Sequence, residues 1–384
     1  MKSLNDIEKR GLKEKKVFLR VDFNVPVTDG EVGEKYRIQS HHKDTIDFLL
    51  AAGVKVALVS HIDGNFKDIA VKVEEILGHQ LDFEEDILNP KLDSQLTLFE
   101  NIRKYEGEEI NDSGFAEDLA RNFDLYVNDA FSVSHREHAS VSTITGFLPS
   151  YAGFLIEKEI RNLERVLNEP AQGKTIILGG AKVSTKLPVI KNFLDPEGVR
   201  QGGPYGVGAA EHILVAGALA NTVFKKKGIK IGKSTAEEVE EDLDWSNSKI
   251  VLPKDIVVSN DRSGRTVPQI FPVKDIDEDQ MILDIGPETV KHFSEIIGGS
   301  ETIIFNGPVG LAEVDAFSIG TRMVLDSIIR SGAFSVVGGG NTLALFEKWG
   351  LIGKFGYVST GGGAMLDFLA GNRLPGLEAL GYYE

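Results

Sequence analysis

Two lysines four residues apart, Lys182 and Lys186, follow a Gly179-Gly180 turn, which in turn follows an apolar run at 175–178 (TIIL). The run predicts a buried parallel strand, and a helix from Ala181 onward would carry both ammonium groups on one face. Strand, glycine turn and helix start make an anion site, because the first backbone N–H groups of a helix have no partner within it. Two lysines beside it suit more than one phosphate group. The segment is not a Walker A loop, since G-x-x-x-x-G-K-[ST] is absent. Taken alone, it reads equally well as an ordinary turn with two exposed lysines.

Glycines after strands recur in the same half. Gly338-Gly339-Gly340-Asn341-Thr342 follows the run 335–337, Ser359-Thr360-Gly361-Gly362-Gly363-Ala364 follows 357–358, and Asn306-Gly307-Pro308-Val309-Gly310 follows 302–305. Ligands of open α/β sheets bind beyond the carboxyl ends of the strands, where such loops collect. Several of them in one half favour a nucleotide site over a set of tight turns.

The first half gathers basic and imidazole groups instead. Arg37, His61, Arg103, His135, Arg136 and His138 follow apolar runs or lie in loops. Arginine offers a planar fork for carboxylate or phosphate, so this half suits a small anion. Asp22 and Asn24 (RVDFN) add polar groups at the end of an apolar strand, where burial without a partner is costly. Each of these residues, taken singly, is more often a satisfied surface or structural group. His135 and His138 are three apart, with no matching His/Asp cluster to complete a tetrahedral metal set. A serine nucleophile is unsupported, since no G-x-S-x-G elbow occurs.

The elements that must position these groups alternate in type. Runs at 17–21, 54–60, 97–99 and 125–127 predict strands in the first half, with helical spacing at 45–52 and 114–122. The second half repeats the rhythm with strands at 175–178, 212–215, 302–305, 335–337 and 357–358, and helical patterns at 318–331 and 342–349. Strands alternating with helices imply parallel βαβ units, and two such sets predict an α/β chain of two doubly wound domains. Residues 152–168 fit one amphipathic helix, ended by Pro170 and Gly173. It is a natural bridge between the halves and equally an ordinary crossover helix. Residues 195–208 are rich in Gly and Pro and predict a surface loop.

A chain of 384 residues is too long for one ordinary core, so two domains are expected. The net charge of −16 argues against general nucleic-acid binding, which needs a basic surface. Absence of cysteine excludes disulfides and thiolate metal sites and suits a reducing cytosol. The first residues, MKSLNDIEKRGLKEKK, carry no apolar signal-peptide core. No uncharged apolar run approaches the roughly 18 residues of a membrane span. These features lead to the expectation of a cytoplasmic protein with no membrane partner.

The motifs VFLRVDFNVP (17–26), LFENIR (98–103), YVNDAFSVSHREHAS (126–140), ILGGAKVSTK (177–186), LDIGP (283–287), FNGPVG (305–310), VVGGGNT (336–342) and VSTGGGAMLDFL (358–369) resemble phosphoglycerate kinase, in order and over nearly the whole chain. The resemblance implies two Rossmann-like domains: an N-terminal 3-phosphoglycerate-binding domain at 1–153 and a C-terminal nucleotide-binding domain at 171–363. An interdomain hinge helix at 154–170 would join them, and a tail from about 364 to 384 would pack back on the first domain. The implied glycolytic reaction is reversible phosphoryl transfer between 1,3-bisphosphoglycerate and ADP, giving 3-phosphoglycerate and ATP. Mg²⁺ would accompany the nucleotide, hinge closure would exclude water, and the chain would act as a monomer.

By motif, the resemblance gives the acid to Asp22, Asn24, Arg37, His61, Arg103 and Arg136, with Arg37 also facing the transferring group. Lys182 and Lys186 would bind nucleotide phosphates, and Glu313 the ribose hydroxyls. The helix start Gly361, Gly362 and Gly363 would meet the phosphoryl oxygens, completing a catalytic set with Arg37 and Lys182. Gly180, Ala181, Asn306, Pro308, Gly339, Gly340, Asn341 and Thr342 fill out the nucleotide site. Such chemistry asks the protein for positioning and charge neutralisation, since the substrate carboxylate is itself the nucleophile.

Three segments depart from the resemblance. Ser60-His61-Ile62-Asp63-Gly64-Asn65 stands where the family has Ser-His-Leu-Gly-Arg-Pro, which removes an arginine and adds an aspartate; Lys67 is a candidate replacement. Asn341 stands where the family has an aspartate that handles Mg²⁺, and an amide brings no charge to a hard cation. Val215-Ala216-Gly217-Ala218-Leu219 replaces a Gly-Gly-Gly-Met strand end, so added methyls would crowd or reshape the adenine pocket. These changes leave two alternatives to the active enzyme: a kinase-fold sensor or partner module, and a kinase for another small carboxylic acid.

Overall fold

The computed structural model describes residues 1–8, 11–41, 43–194, 209–239, 243–340 and 342–384. The loop 195–208 and Asn341 therefore lie outside the described residues. The chain divides into two compact units, Met1–Arg161 with Arg373–Glu384, and Asn162–Asn372. The division falls inside the helix Phe154–Asn168, and the tail grouped with the first unit is Arg373–Glu384.

In the first unit six strands pair in the order Asp82–Glu84, Leu96–Phe99, Lys55–Val59, Lys16–Arg20, Leu125–Asn128 and Ser150–Ala152. Every pairing is parallel, with Val17 opposite Val56 on one side and Leu125 on the other. Consecutive residues Val17, Phe18 and Leu19 are fully buried. Both sheet faces are thus covered, which is why the strands read as unbroken apolar runs rather than alternating ones. The helix Ser113–Ala120 begins where Asp112 accepts from the Phe115 N–H at 2.7 Å, an N-cap that stops the helix growing backwards. A π-type turn, Arg37–His41, leads into the helix Lys43–Ala51.

The second unit has six parallel strands in the order Ile250–Val251, His212–Val215, Lys174–Leu178, Thr302–Asn306, Phe334–Gly338 and Tyr357–Val358. Numbered along the chain within the unit this is 3-2-1-4-5-6, the Rossmann order. A separate antiparallel sheet pairs Gln269–Pro272, Asp255–Ser259 and Met281–Ile285. Among the described residues no helix is long and apolar enough to cross a membrane.

One expectation is corrected. Residues 181–186 are not helical; the helix that follows the glycine turn runs Leu187–Leu194. Pro188 is the reason. In the first turn of a helix its missing N–H is harmless, whereas a helix begun at Ala181 would bury it in the interior at a cost of about 3 kcal/mol.

Candidate active site

In both sheets the strand order reverses beside the first strand, and ligands of open α/β sheets bind at that switch point. In the first unit that switch point lies between the loops that follow Lys16–Arg20 and Leu125–Asn128. In the second it lies between the loops after Lys174–Leu178 and Thr302–Asn306.

The first crevice brings Asp22, Arg37 and Ser132 together. Arg37 Nη1 donates to Asp22 Oδ2 at 2.6 Å, and the Ser132 hydroxyl donates to the same carboxylate oxygen. The Asn24 N–H donates to Asp22 Oδ1 at 3.1 Å, and the Asn24 side-chain oxygen accepts from the Asp63 N–H at 3.2 Å. Burial works against the charge on Arg37. The carboxylates of Asp22 and Glu34 outweigh it and hold the guanidinium above its ordinary range.

His61 is buried, with Nδ1 3.5 Å from Arg20 Nη2. Burial first, then the charge on Arg20, lowers its pKa to about 3, so the ring is neutral. His138 behaves alike: burial, then Arg103 and Arg20, lowers it to about 4. Glu108 lies 3.7 Å from His138 Nδ1, but its carboxylate is already engaged by the Ser140 N–H at 2.9 Å and hydroxyl at 2.6 Å. The neutral ring therefore wins. Arg103 is lowered by burial and by Arg136, and its buried Nη2 has no hydrogen-bond partner among the described residues. Arg136 is exposed. Arg20, Arg103 and Arg136 thus make a field that keeps neighbouring imidazoles uncharged and favours an incoming anion.

Arg20 and Glu108 were not anticipated. Arg20 is fully buried and donates to Ser140 Oγ at 2.9 Å and to the Val21 carbonyl at 2.6 Å. A charged residue closing an apolar strand (VFLR) was the available signal. Glu108 sits in an acidic run, EGEE, with nothing in the sequence to mark it as buried.

In the second crevice three loops meet backbone to backbone. The Gly180 N–H donates to the Pro308 carbonyl at 2.7 Å, Gly179 to Asn306 at 3.0 Å, and Gly217 to Val309 at 3.2 Å. Gly217 has φ 59°, and a methyl there would stand 2.9 Å from the Gly180 nitrogen, so only glycine fits. These loops wall a cleft of about 380 Å³ lined by Gly180, Ala181, Ala218, Pro308 and Glu313 among others. Lys186 is buried beside it, its Nζ donating to the Lys182 carbonyl at 2.9 Å, while the Lys182 side chain is exposed. Burial lowers the Lys186 pKa to about 8, with Glu237 opposing and Lys182 assisting.

Asn306, Gly339, Gly340, Thr342 and Gly361–363 do not line that cleft. They form a neighbouring rim: Gly307 N–H donates to the Gly338 carbonyl at 3.3 Å, and a methyl on Gly362 would touch Gly340 N at 3.6 Å. Asn306 is buried, its amide 3.8 Å from Met365 Sδ. Gly361 caps the helix Gly362–Leu369.

The departures are placed as follows. Asp63 is exposed and tied through its N–H to Asn24. Lys67 pairs with Glu85 at 2.7 Å, both largely exposed. Ala218 lines the cleft of the second unit, whereas Leu219 is fully buried.

The chain is similar to known proteins over nearly its whole length. The family model described as phosphoglycerate kinase matches residues 4–372. Curated relatives named phosphoglycerate kinase include one from Rubrobacter xylanophilus, 40% identical and covering 99% of this chain and 98% of its own. Another, from Moorella thermoacetica, is 37% identical with 98% of each chain covered. Among solved structures, the phosphoglycerate kinase of Pyrococcus horikoshii superposes with a TM-score of 0.86 at 31% identity, covering 100% of this chain and 99% of that one.

Proposed function

The chain belongs to the phosphoglycerate kinase family, and we propose that it divides that family's phosphotransfer between two half-sites, the acid on the first unit and the nucleotide on the second. It is a phosphotransferase, with phosphoglycerate and ATP or ADP as substrates. What carries the division is the pair of switch-point crevices of opposite chemistry. One is ringed by Arg20, Arg37, Arg103 and Arg136; the other is built of glycine backbone with one buried amine, Lys186.

In the acid half-site Arg103 and Arg136 would hold the phosphate of 3-phosphoglycerate, and Asp22 and Asn24 its hydroxyl. His61, being neutral, offers a hydrogen bond without charge. Arg37 would face the carboxylate. That carboxylate attacks the γ-phosphorus of ATP, the bond to the β,γ-bridging oxygen breaks, and ADP leaves. No protein nucleophile is needed. In the nucleotide half-site Lys182, Lys186 and the N–H groups at Gly361–363 would neutralise the phosphates, and Glu313 would take the ribose hydroxyls.

Mg²⁺ fits the rim of this half-site. Among the described residues the buried Thr342 hydroxyl has no hydrogen-bond partner, and a neutral oxygen suits an ion that takes its other ligands from phosphate and water. Thr342 and Asn341 would hold it, and it would supply charge neutralisation between phosphate groups. A cytoplasmic location and a monomeric state complete the proposal; the cysteine-free composition supports the location.

Calorimetric titration of two variants tests the division. Arg37→Ala should weaken 3-phosphoglycerate binding at least tenfold with ADP affinity unchanged, and Lys186→Ala should do the reverse. Loss of both ligands in either variant would contradict separate half-sites.

A further inference from the structure

We infer that Glu34 is a positioning residue for the transfer reaction, fixing the plane of the Arg37 guanidinium against the acid. This rests on the assignment of Arg37 to the acid half-site. One carboxylate oxygen of Glu34, Oε2, accepts from Arg37 Nε at 3.1 Å and from Nη2 at 3.0 Å. Asp22 Oδ2 accepts from Nη1 at 2.6 Å. The two carboxylates therefore grip different edges of one planar cation, and rotation of that plane breaks at least one charge-assisted bond. Glu34 and Arg37 are each only 8% exposed, so water cannot readily replace either contact.

The backbone supports the same role. Glu34 stands at φ 47°, in the left-handed region that a residue with a side chain adopts only at a cost. Glycine or asparagine would relax it. Its carbonyl accepts from the Arg37 N–H at 3.0 Å, so one residue fixes Arg37 at both main chain and guanidinium. Packing two carboxylates against one buried arginine is a poor device for stability alone. It is a good one for holding a fork in a single orientation, since effective catalysis requires reacting groups placed before binding.

Steady-state kinetics on the full chain test this. Glu34→Gln should lower kcat at least tenfold while KM for ATP stays within twofold of the parent. Glu34→Asp, which keeps the charge but withdraws it by one methylene, should recover part of that loss. In an Arg37→Ala background Glu34→Gln should change kcat by less than twofold. A folded Glu34→Gln protein with kcat within twofold of the parent overturns the inference. So does a rise in turnover, which would make Glu34 a competitor of the acid for Arg37. If Glu34→Gln does not fold, Glu34→Asp with undiminished kcat overturns it equally. Unchanged turnover in Arg37→Ala alone would instead refute the half-site assignment on which the inference rests.

Discussion

The ammonium of Lys186 donates to the backbone carbonyl of Lys182 at 2.9 Å, so one candidate phosphate-binding amine is held by the main chain of the other. The two amines differ in setting, with Lys186 buried and Lys182 exposed.

The lowered pKa of Lys186, about 8 through burial, gives two effects of opposite sign. Between about 8 and the unfolded value near 10.4 the unfolded chain binds more protons than the folded one, so this group makes stability rise with pH there. Nucleotide affinity should fall over the same window, because the ammonium is lost. ADP binding at pH 8.5 should take up a proton, measurable by calorimetry in buffers of different ionisation enthalpy. Absence of uptake in the parent, or uptake that survives in Lys186→Ala, would remove Lys186 from the phosphate site.

Gly179→Ala should cripple the nucleotide loops. An added methyl would fall on the Pro308 carbonyl, 2.7 Å from its carbon, and overpacking of this kind costs about 1–3 kcal/mol. A lower melting temperature with ADP affinity reduced at least tenfold is the expected outcome. Ordinary ADP binding would mean that the loops can part without consequence.

His61 and His138, held neutral with values of about 3 and 4, should make the chain acid-sensitive. As pH falls from about 6.5 the unfolded histidines take protons that the folded ones refuse, so stability is lost toward pH 4. Urea titrations at pH 7 and 5 should show a smaller loss in His138→Gln than in the parent. An equal loss in both would show that His138 is not held neutral.

The parallel strands were legible because burial on both faces leaves unbroken apolar runs, as at Val17, Phe18 and Leu19. The glycine loops were legible because only glycine allows the approach of Gly179 to the Pro308 carbonyl. Pairings distant in sequence were not. Arg20 meets Ser140 and Glu108 holds that same serine, contacts that the fold creates and no local pattern encodes. The lysine helix failed on Pro188, a residue whose meaning depends on where the first turn falls. Lys67 was read as a replacement charge from its type alone, and Glu85 had already claimed it.

Asp63→Arg should restore a grip on the substrate phosphate. Asp63 is exposed, and its N–H is fixed to Asn24 at 3.2 Å. A charge-assisted hydrogen bond is worth about 1.5–3 kcal/mol, less at an exposed position, so KM for 3-phosphoglycerate should fall about tenfold. An unchanged KM would place the phosphate elsewhere.

The most direct test is turnover itself, in a coupled assay with 3-phosphoglycerate, ATP and Mg²⁺. A kcat within the usual kinase range of about 1–100 s⁻¹, lost in Arg37→Ala and in Lys186→Ala, is expected. Measurable binding of both ADP and 3-phosphoglycerate with turnover below about one-thousandth of that range would contradict it, and would make the chain a binding protein built on a kinase fold.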